Sequence, residues 1–429
     1  MMNSLIGDMA RTYALPGLKR AAGLAVRLVP LPQPTLLVGP GSSGRLGEAI
    51  GAFAHAKILL VTDAVVLKLG LAKGLIAALK ASHTDFVVFD EITPDAPIPL
   101  VERGIAIYKS EGCDAIVAFG GGSVMDAAKA IGMSVSNKRH PRQLVGYFRG
   151  WRGPPPIYAV PTTAGTGSEV TVAAVISDTE NHKKLVIADS RIVPRMAALD
   201  PELMAGLPQP ITAATGMDAL THAVEAYIGN WGTEFTDSMA LAAVSMIYAN
   251  LPLAYADGQN LAAREQMALA SAYAGMAFTR ANVGNVHAIA HQLGGRYHTP
   301  HGLANAIMLP PVLRFSAAAI EPKLAVLARR AGLAHKGDSE AKLAQRFLDS
   351  VEAMNRQLGI PQHLDALRED DILALAKAAC WEADTNYPVP RTMSINDCAA
   401  LLREVLPVSS SPKATASVKP AKGRAREHT

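Results

Sequence analysis

His287, His291, His298 and His301 fall within one window of fifteen residues, and upstream Asp218 and His222 stand four residues apart. Imidazole nitrogens with a single carboxylate make a ligand set for Zn²⁺ or Fe²⁺. Residues four apart share one face of a helix, so Asp218 with His222, and His287 with His291, each present two donors in one direction. The carboxylate supplies charge to hold a divalent cation, and neutral histidines add directional nitrogens without over-neutralising it. One such pair alone is more often a hydrogen-bonded helix pair than a metal site. Together with His301, on a Pro300-His301-Gly302 turn, they weight the reading toward a metal. His298, at a loop-like spacing, fits a solvent-exposed or substrate-facing role as well as ligation. Four ligands admit a substrate oxygen only if coordination expands or if one candidate lies outside the shell.

Two glycine-rich turns compete for a dinucleotide. Gly39-Pro40-Gly41-Ser42-Ser43-Gly44 fits GxGxxG after a strand-like run, with Asp63 about 20 residues further on. The second turn, Gly120-Gly121-Gly122-Ser123, follows the apolar run Ala115 to Phe119 and precedes a helical stretch carrying Asp126 and Lys129. Three glycines let the backbone approach a pyrophosphate, and the helix N-terminus offers unpaired N–H groups. The second turn is the stronger phosphate candidate; a strand-to-helix turn without a ligand is its alternative. A third segment, Pro161 to Glu169, bunches Thr162, Thr163, Thr166 and Ser168 with two glycines and could offer both backbone and hydroxyl donors. Asp63 would accept from an unphosphorylated adenosine ribose and repel a 2′-phosphate, favouring NAD over NADP. A helix N-cap role for Asp63 has equal weight.

A chain of 429 residues, 49% apolar, exceeds what one core usually supports. From Thr35 to Ile192 short β-branched runs alternate with helical stretches, as in a parallel sheet with crossover helices. Leu36–Val38, Ile58–Thr62, Phe86–Phe89, Ala115–Phe119 and Ile157–Val160 read as strands; Leu46–Ala54, Leu71–Ser82, Leu100–Glu111 and Val124–Met133 read as helices. Beyond Leu207-Pro208-Gln209-Pro210 long Ala-, Leu- and Met-rich segments show helical periodicity and almost no strand signal. The expected division is an N-terminal extension over 1–29, an α/β dinucleotide-binding domain over 30–205, an all-α metal-binding domain over 206–406 and a disordered basic tail over 407–429.

The formal charge of +4 resides entirely in that tail, so the body is neutral and implies no basic face for nucleic acid. Three separated cysteines, Cys113, Cys380 and Cys398, indicate neither a disulfide framework nor a thiolate metal site. With no secretory pattern at the N-terminus, a cytoplasmic location is expected. Ser238–Ala256 carries no charged side chain, but Asn250 and Pro252 interrupt it; it reads as a helix buried in a large domain rather than a membrane span. Core packing and a homo-oligomer interface account equally for the Met- and Ala-rich helices.

The stretches GGGSVMDAAKAIG, PTTAGTGSEVT, ATGMDALTHAVEAYI and NVGNVHAIAHQLGGRYHTPHGLANAIMLP resemble, in order and spacing, the iron-containing (group III) alcohol dehydrogenases over roughly residues 30 to 405. The resemblance implies a dehydroquinate synthase-like architecture with the active-site cleft between the two domains. It also implies that Asp218, His222, His287 and His301 bind the metal, with His291 beside the substrate. Gly120 to Ser123 and the Thr162 to Thr166 loop, including Thr163, would contact NAD, with Asp126 nearby, Asp63 at the ribose and Lys184 in reach. Ala288 and Gln292 stand where some relatives carry Gly and Pro, and Asn386-Tyr387-Pro388-Val389-Pro390-Arg391 replaces a shorter Asn-Pro-Arg pattern. The segment Trp381 to Arg391 is a candidate for the substrate end of the cleft.

The implied reaction interconverts a small alcohol or diol and its aldehyde or ketone, with NAD taking the hydride and Fe²⁺ polarising the substrate oxygen. Zn²⁺ suits the same ligands. His291 is the candidate proton relay. Two other readings are a hydroxyacid-oxoacid transhydrogenase with retained NAD and a non-catalytic metal- or nucleotide-binding protein. A phosphate-substrate enzyme of the same architecture would need converging cations, whereas Arg264, Arg280 and Arg296 are dispersed.

Overall fold

The computed structural model describes residues 30–181 and 183–407. The expected N-terminal extension and the tail beyond Pro407 lie outside these residues. Six strands form a parallel sheet in the order β1-β9-β6-β4-β2-β3: β1 (Thr35–Val38), β2 (Ile58–Val61), β3 (Phe86–Phe89), β4 (Ala115–Gly120), β6 (Ile157–Pro161) and β9 (Met196–Leu199). Strands covered on both faces read as continuous apolar runs, and β2 and β4 do so because every one of their residues is buried. Successive side chains point to opposite faces. Leu60, Val117 and Phe119 meet Leu46 and Ile50 of α1 (Ser42–Gly51) and Leu75 and Leu79 of α3 (Lys73–Ala81). Leu59, Val61, Ile116 and Ala118 meet Val101 of α4 (Ile98–Ser110) and Ile131 of α5 (Gly122–Asn137).

Some elements differ from the sequence pattern. The stretch expected as one helix from Leu71 is preceded by a short α2 (Ala64–Lys68), and α5 runs one turn further than Met133. Four strands give no clear run: β9, whose MAAL lacks β-branched residues, and a three-stranded sheet of β5 (Gly146–Tyr147), β8 (Lys183–Ala188) and β7 (Ala173–Asp178). The last two form an antiparallel pair whose burial alternates along β7, and four of its six positions, Ala173, Ala174, Ser177 and Asp178, are polar or small.

The helices that follow are α6 (Gln209–Ile228), α7 (Glu234–Ala256), α8 (Leu261–Ala281), α9 (Asn285–Tyr297), α10 (His301–Arg330), α11 (Glu340–Gln357), α12 (Glu369–Asn386) and α13 (Ile395–Glu404). Helix α6 is buried all round from Gly216 to Ile228, the pattern of a central helix. Charged groups in such a helix are costly unless paired or bound, which singles out Asp218, His222 and Glu225. The apolar stretch Ser238–Ala256 is not interior throughout. Helix α7 buries one stripe, Ala240, Ala243, Val244, Ile247, Leu251 and Ala254, and only 33% of its apolar window is covered, because α8 and α6 pack on one side of it. Helices α7 and α10 are both long and apolar enough to cross a membrane by composition, and the second is mostly buried within the protein.

Candidate active site

Asp218 and His222 project from α6, His287 from the first turn of α9, and His301 opens α10. The close approach of α10 to α6 requires Gly302, where a Cβ would lie 2.4 Å from the carbonyl oxygen of Ala214. One donor atom from each of Asp218, His222, His287 and His301 then lies within 4.8 Å of every other. Donors around a cation about 2.1 Å from each sit up to about 4.2 Å apart, close to the size of this group.

The hydrogen bonds around the four donors test the fit further. Asn305 Nδ2 lies 2.6 Å from Asp218 Oδ1 and 3.1 Å from both His287 Nε2 and His301 Nε2. Three acceptors thus converge on an amide that has two hydrogens, a surplus of lone pairs that a cation satisfies. Nδ1 of His222 is buried without a hydrogen-bond partner. Burial holds the pKa of His222 below its ordinary value, that of His287 well below, and that of His301 down to about 4. All three rings are therefore neutral at neutral pH, the state in which imidazole ligates. The chemistry of the donor set suits Fe²⁺ or Zn²⁺.

Glu225 is not among the residues the sequence pattern singles out, although its spacing, seven after Asp218 and three after His222, puts it on their face of α6. Its carboxylate accepts from His287 Nδ1 at 2.6 Å and from the amides of Gly284 and Val286 at 2.8 and 2.7 Å. This leaves His287 Nε2 for the shared centre, the usual arrangement around a metal-ligating histidine. Burial pushes Glu225 up to about 7 against the pull of those backbone donors.

His291, one turn after His287, stands outside the four-donor group. Its ring stacks on His301 with centroids 5.4 Å apart, and its Nδ1 meets Glu382 Oε1 at 2.6 Å. The side chains of His301 and His291 are 36% and 22% exposed, whereas those of Asp218 and His287 are 2% and 3%. The centre is therefore open on the side of His301 and His291. His298 is exposed and closes α9 in the left-handed conformation, its N–H donating to Gly294.

On the sheet side, β4 ends at Gly120 and α5 begins at Gly122. The hydroxyl-rich loop lies directly over this turn: a Cβ on Gly122 would fall 2.7 Å from Thr166 Cγ2, and one on Gly121 would fall 3.6 Å from Thr163 Oγ1. Thr162 donates its N–H to the Gly120 carbonyl, and Ser123 Oγ accepts from the Asp95 amide at 3.0 Å. Asp126 is turned inward: its carboxylate accepts from Ser168 Oγ at 2.7 Å and from Val175 N at 3.0 Å, and burial raises its pKa. Lys129 is buried too, its ammonium sharing five oxygens of Ser168, Thr171 and Ala173 at 2.6–3.0 Å, while burial lowers it to about 8. Both residues brace the loop. Its other end meets the helical half, where Gly167, at φ +61°, would place a Cβ 2.8 Å from Gly275 Cα in α8.

Lys184, on β8, pairs with Asp95, whose amide donates to Ser123 Oγ in the glycine turn. Asp63 caps α2, its Oδ1 accepting from Val66 N at 2.9 Å. The competing turn at Gly39 to Gly44 is filled from within the chain. Asp200 accepts from Gly41 N, Ser43 N and Ser43 Oγ at 3.2, 3.1 and 2.8 Å, consuming the donors a phosphate would need.

Residues 33–201 match the family model for iron-containing alcohol dehydrogenase, and residues 212–406 match that of the C-terminal part of the Fe-containing alcohol dehydrogenase family. The chain belongs to the iron-containing alcohol dehydrogenase family. As a family member it is an oxidoreductase. It is 37% identical over 375 residues to the NAD-dependent methanol dehydrogenase of Bacillus methanolicus, covering 87% of this chain and 98% of the relative. Against the 1,3-propanediol dehydrogenase of Klebsiella pneumoniae it is 40% identical over 370 residues, covering 85% and 95%. A crystal structure of a 1,3-propanediol oxidoreductase superposes with a TM-score of 0.84 at 39% identity, covering 88% of this chain and 100% of the other.

Proposed function

We propose that this family member is an NAD-linked, divalent-metal-dependent dehydrogenase interconverting a small alcohol or diol with its aldehyde or ketone. The observation that carries the reading is the convergence of Asp218, His287 and His301 on one point that is open on the side of His301 and His291. The names of the relatives supply the substrate class and NAD.

Asp218, His222, His287 and His301 hold the cation, with Fe²⁺ favoured by the family and Zn²⁺ suited to the same donors. When bound, the cation supplies Lewis-acid polarisation of the substrate oxygen and NAD supplies the hydride acceptor. Gly120, Gly121, Gly122 and the N-terminus of α5 cradle the diphosphate with backbone N–H groups. Thr162, Thr163 and Thr166 add donors, and Ser123, Asp126 and Lys184 hold the edge of that site. Asp63, while capping α2, accepts from the adenosine ribose and disfavours a 2′-phosphate. His291 takes the alcohol proton at Nε2 and passes it to solvent. The division of labour places the nucleotide in residues 30–205 and the metal in 206–406.

The test is NADH formation from a panel of primary alcohols and diols by chelator-stripped protein, before and after adding Fe²⁺ or Zn²⁺. Turnover that returns with the metal is expected. Folded protein that binds NAD yet forms no NADH with any alcohol and either metal would overturn the reading.

A further inference from the structure

The geometry points to Glu382 as a positioning residue that fixes the ring of His291, with Tyr387 and Gln292 locking its carboxylate in place. The inference rests on the role given to His291 above. Glu382 comes from the last turns of α12 and lies 91 residues along the chain from His291. Its Oε1 accepts from His291 Nδ1 and from Tyr387 OH, both at 2.6 Å, and its Oε2 accepts from Gln292 Nε2 at 2.7 Å.

An ionised carboxylate only accepts hydrogen bonds. The hydrogen on His291 is therefore on Nδ1 in the neutral ring, and the lone pair is on Nε2, at the opposite edge. Burial works against ionisation of Glu382, but the charge of His291 when its ring is protonated, with the hydrogen bonds from His291, Tyr387 and Gln292, outweighs it and holds the pKa below the ordinary value. Burial and Glu382 keep Tyr387 protonated, so it remains a donor. With Glu382 and His291 only 18% and 22% exposed, such charge-assisted bonds are little weakened by water. Gln292 and Tyr387, from two separate segments, each contribute a donor to this one carboxylate.

A bond that only tied α12 to α9 would predict a different pattern of losses. Glu382→Gln keeps an acceptor but loses the charge and opposes the Gln292 amide. It should lower kcat about 30-fold, a misplacement effect, while the KM for NAD stays within about twofold. In a His291→Ala background the same substitution should change kcat less than about threefold, the coupling expected of residues that act as a unit. Equal losses in both backgrounds would overturn the proposal.

A second measurement does not require turnover. In proton NMR of the Zn²⁺-loaded protein with labelled histidine, Glu382→Leu should remove the hydrogen-bonded ring N–H of His291. The corresponding signal of His287, held by Glu225, should remain. A His291 signal indifferent to Glu382→Leu would also overturn the proposal. Absence of alcohol turnover with the His291 signal behaving as expected would count against the dehydrogenase reading and leave the Glu382–His291 pair standing.

Discussion

Two glycine-rich turns leave the carboxyl edge of one parallel sheet, lead into helices on its opposite faces and carry nearly the same sequence signal, yet they end differently. At Gly39 to Gly44 the carboxylate of Asp200 occupies the backbone donors. At Gly120 to Ser123 the turn opens α5, a helix of 16 residues, beneath a loop of threonines. A glycine motif states that a backbone can approach an anion closely; it does not state whose anion arrives. The donors of the first turn are spent within the fold, and the second is the turn proposed for the nucleotide.

The sharpest way to break this contrast is Gly122→Val, which drives a side chain into Thr166 and over the donors of the second turn. NAD affinity measured by calorimetry should fall about 100-fold, or about 2.7 kcal/mol. Unchanged affinity would remove the second turn from the nucleotide site. Next in size is Asp200→Ala, which strands the donors of the first turn. Urea unfolding should report a loss of about 2–3 kcal/mol, with NAD affinity within about twofold. A large loss of NAD affinity without destabilisation would reverse the assignment of the two turns.

Asp63→Asn sharpens the contrast at the neighbouring strand. Asparagine still caps α2, so stability should hold while the preference of kcat/KM for NAD over NADP relaxes about tenfold as the charge is lost. An unaltered preference would leave Asp63 as a cap alone. The smallest effect is expected for Gly41→Ala, where φ is +70°. The left-handed conformation should cost about 1 kcal/mol in thermal unfolding, with the KM for NAD unchanged.

The central strands, the α/β-then-helical order and the paired His and Asp donors were legible because each rests on local periodicity, whereas the choice of four among the five candidate donors came from the family resemblance. Asp218 and His222, or His287 and His291, need only a helix to share a face. Glu225 and Asn305 carried the same kind of signal, at helical spacing from His222 and His301, and were readable in principle. Glu382 was not: no nearby pattern relates it to a histidine 91 residues away. β9 was hidden because its residues have no strand preference, and its place between β1 and β6 comes from burial against both.

By itself the amino-acid sequence determined the donor types, their helical faces and the presence of glycine where a backbone must come close. Tertiary structure decided which nitrogen of His287 faces the four-donor group and which glycine turn has its donors spent on Asp200. The physical reason is the same in each case. Side-chain type and local spacing travel with the chain, whereas partners and burial are set when distant segments pack, and those partners decide what each polar group is free to do.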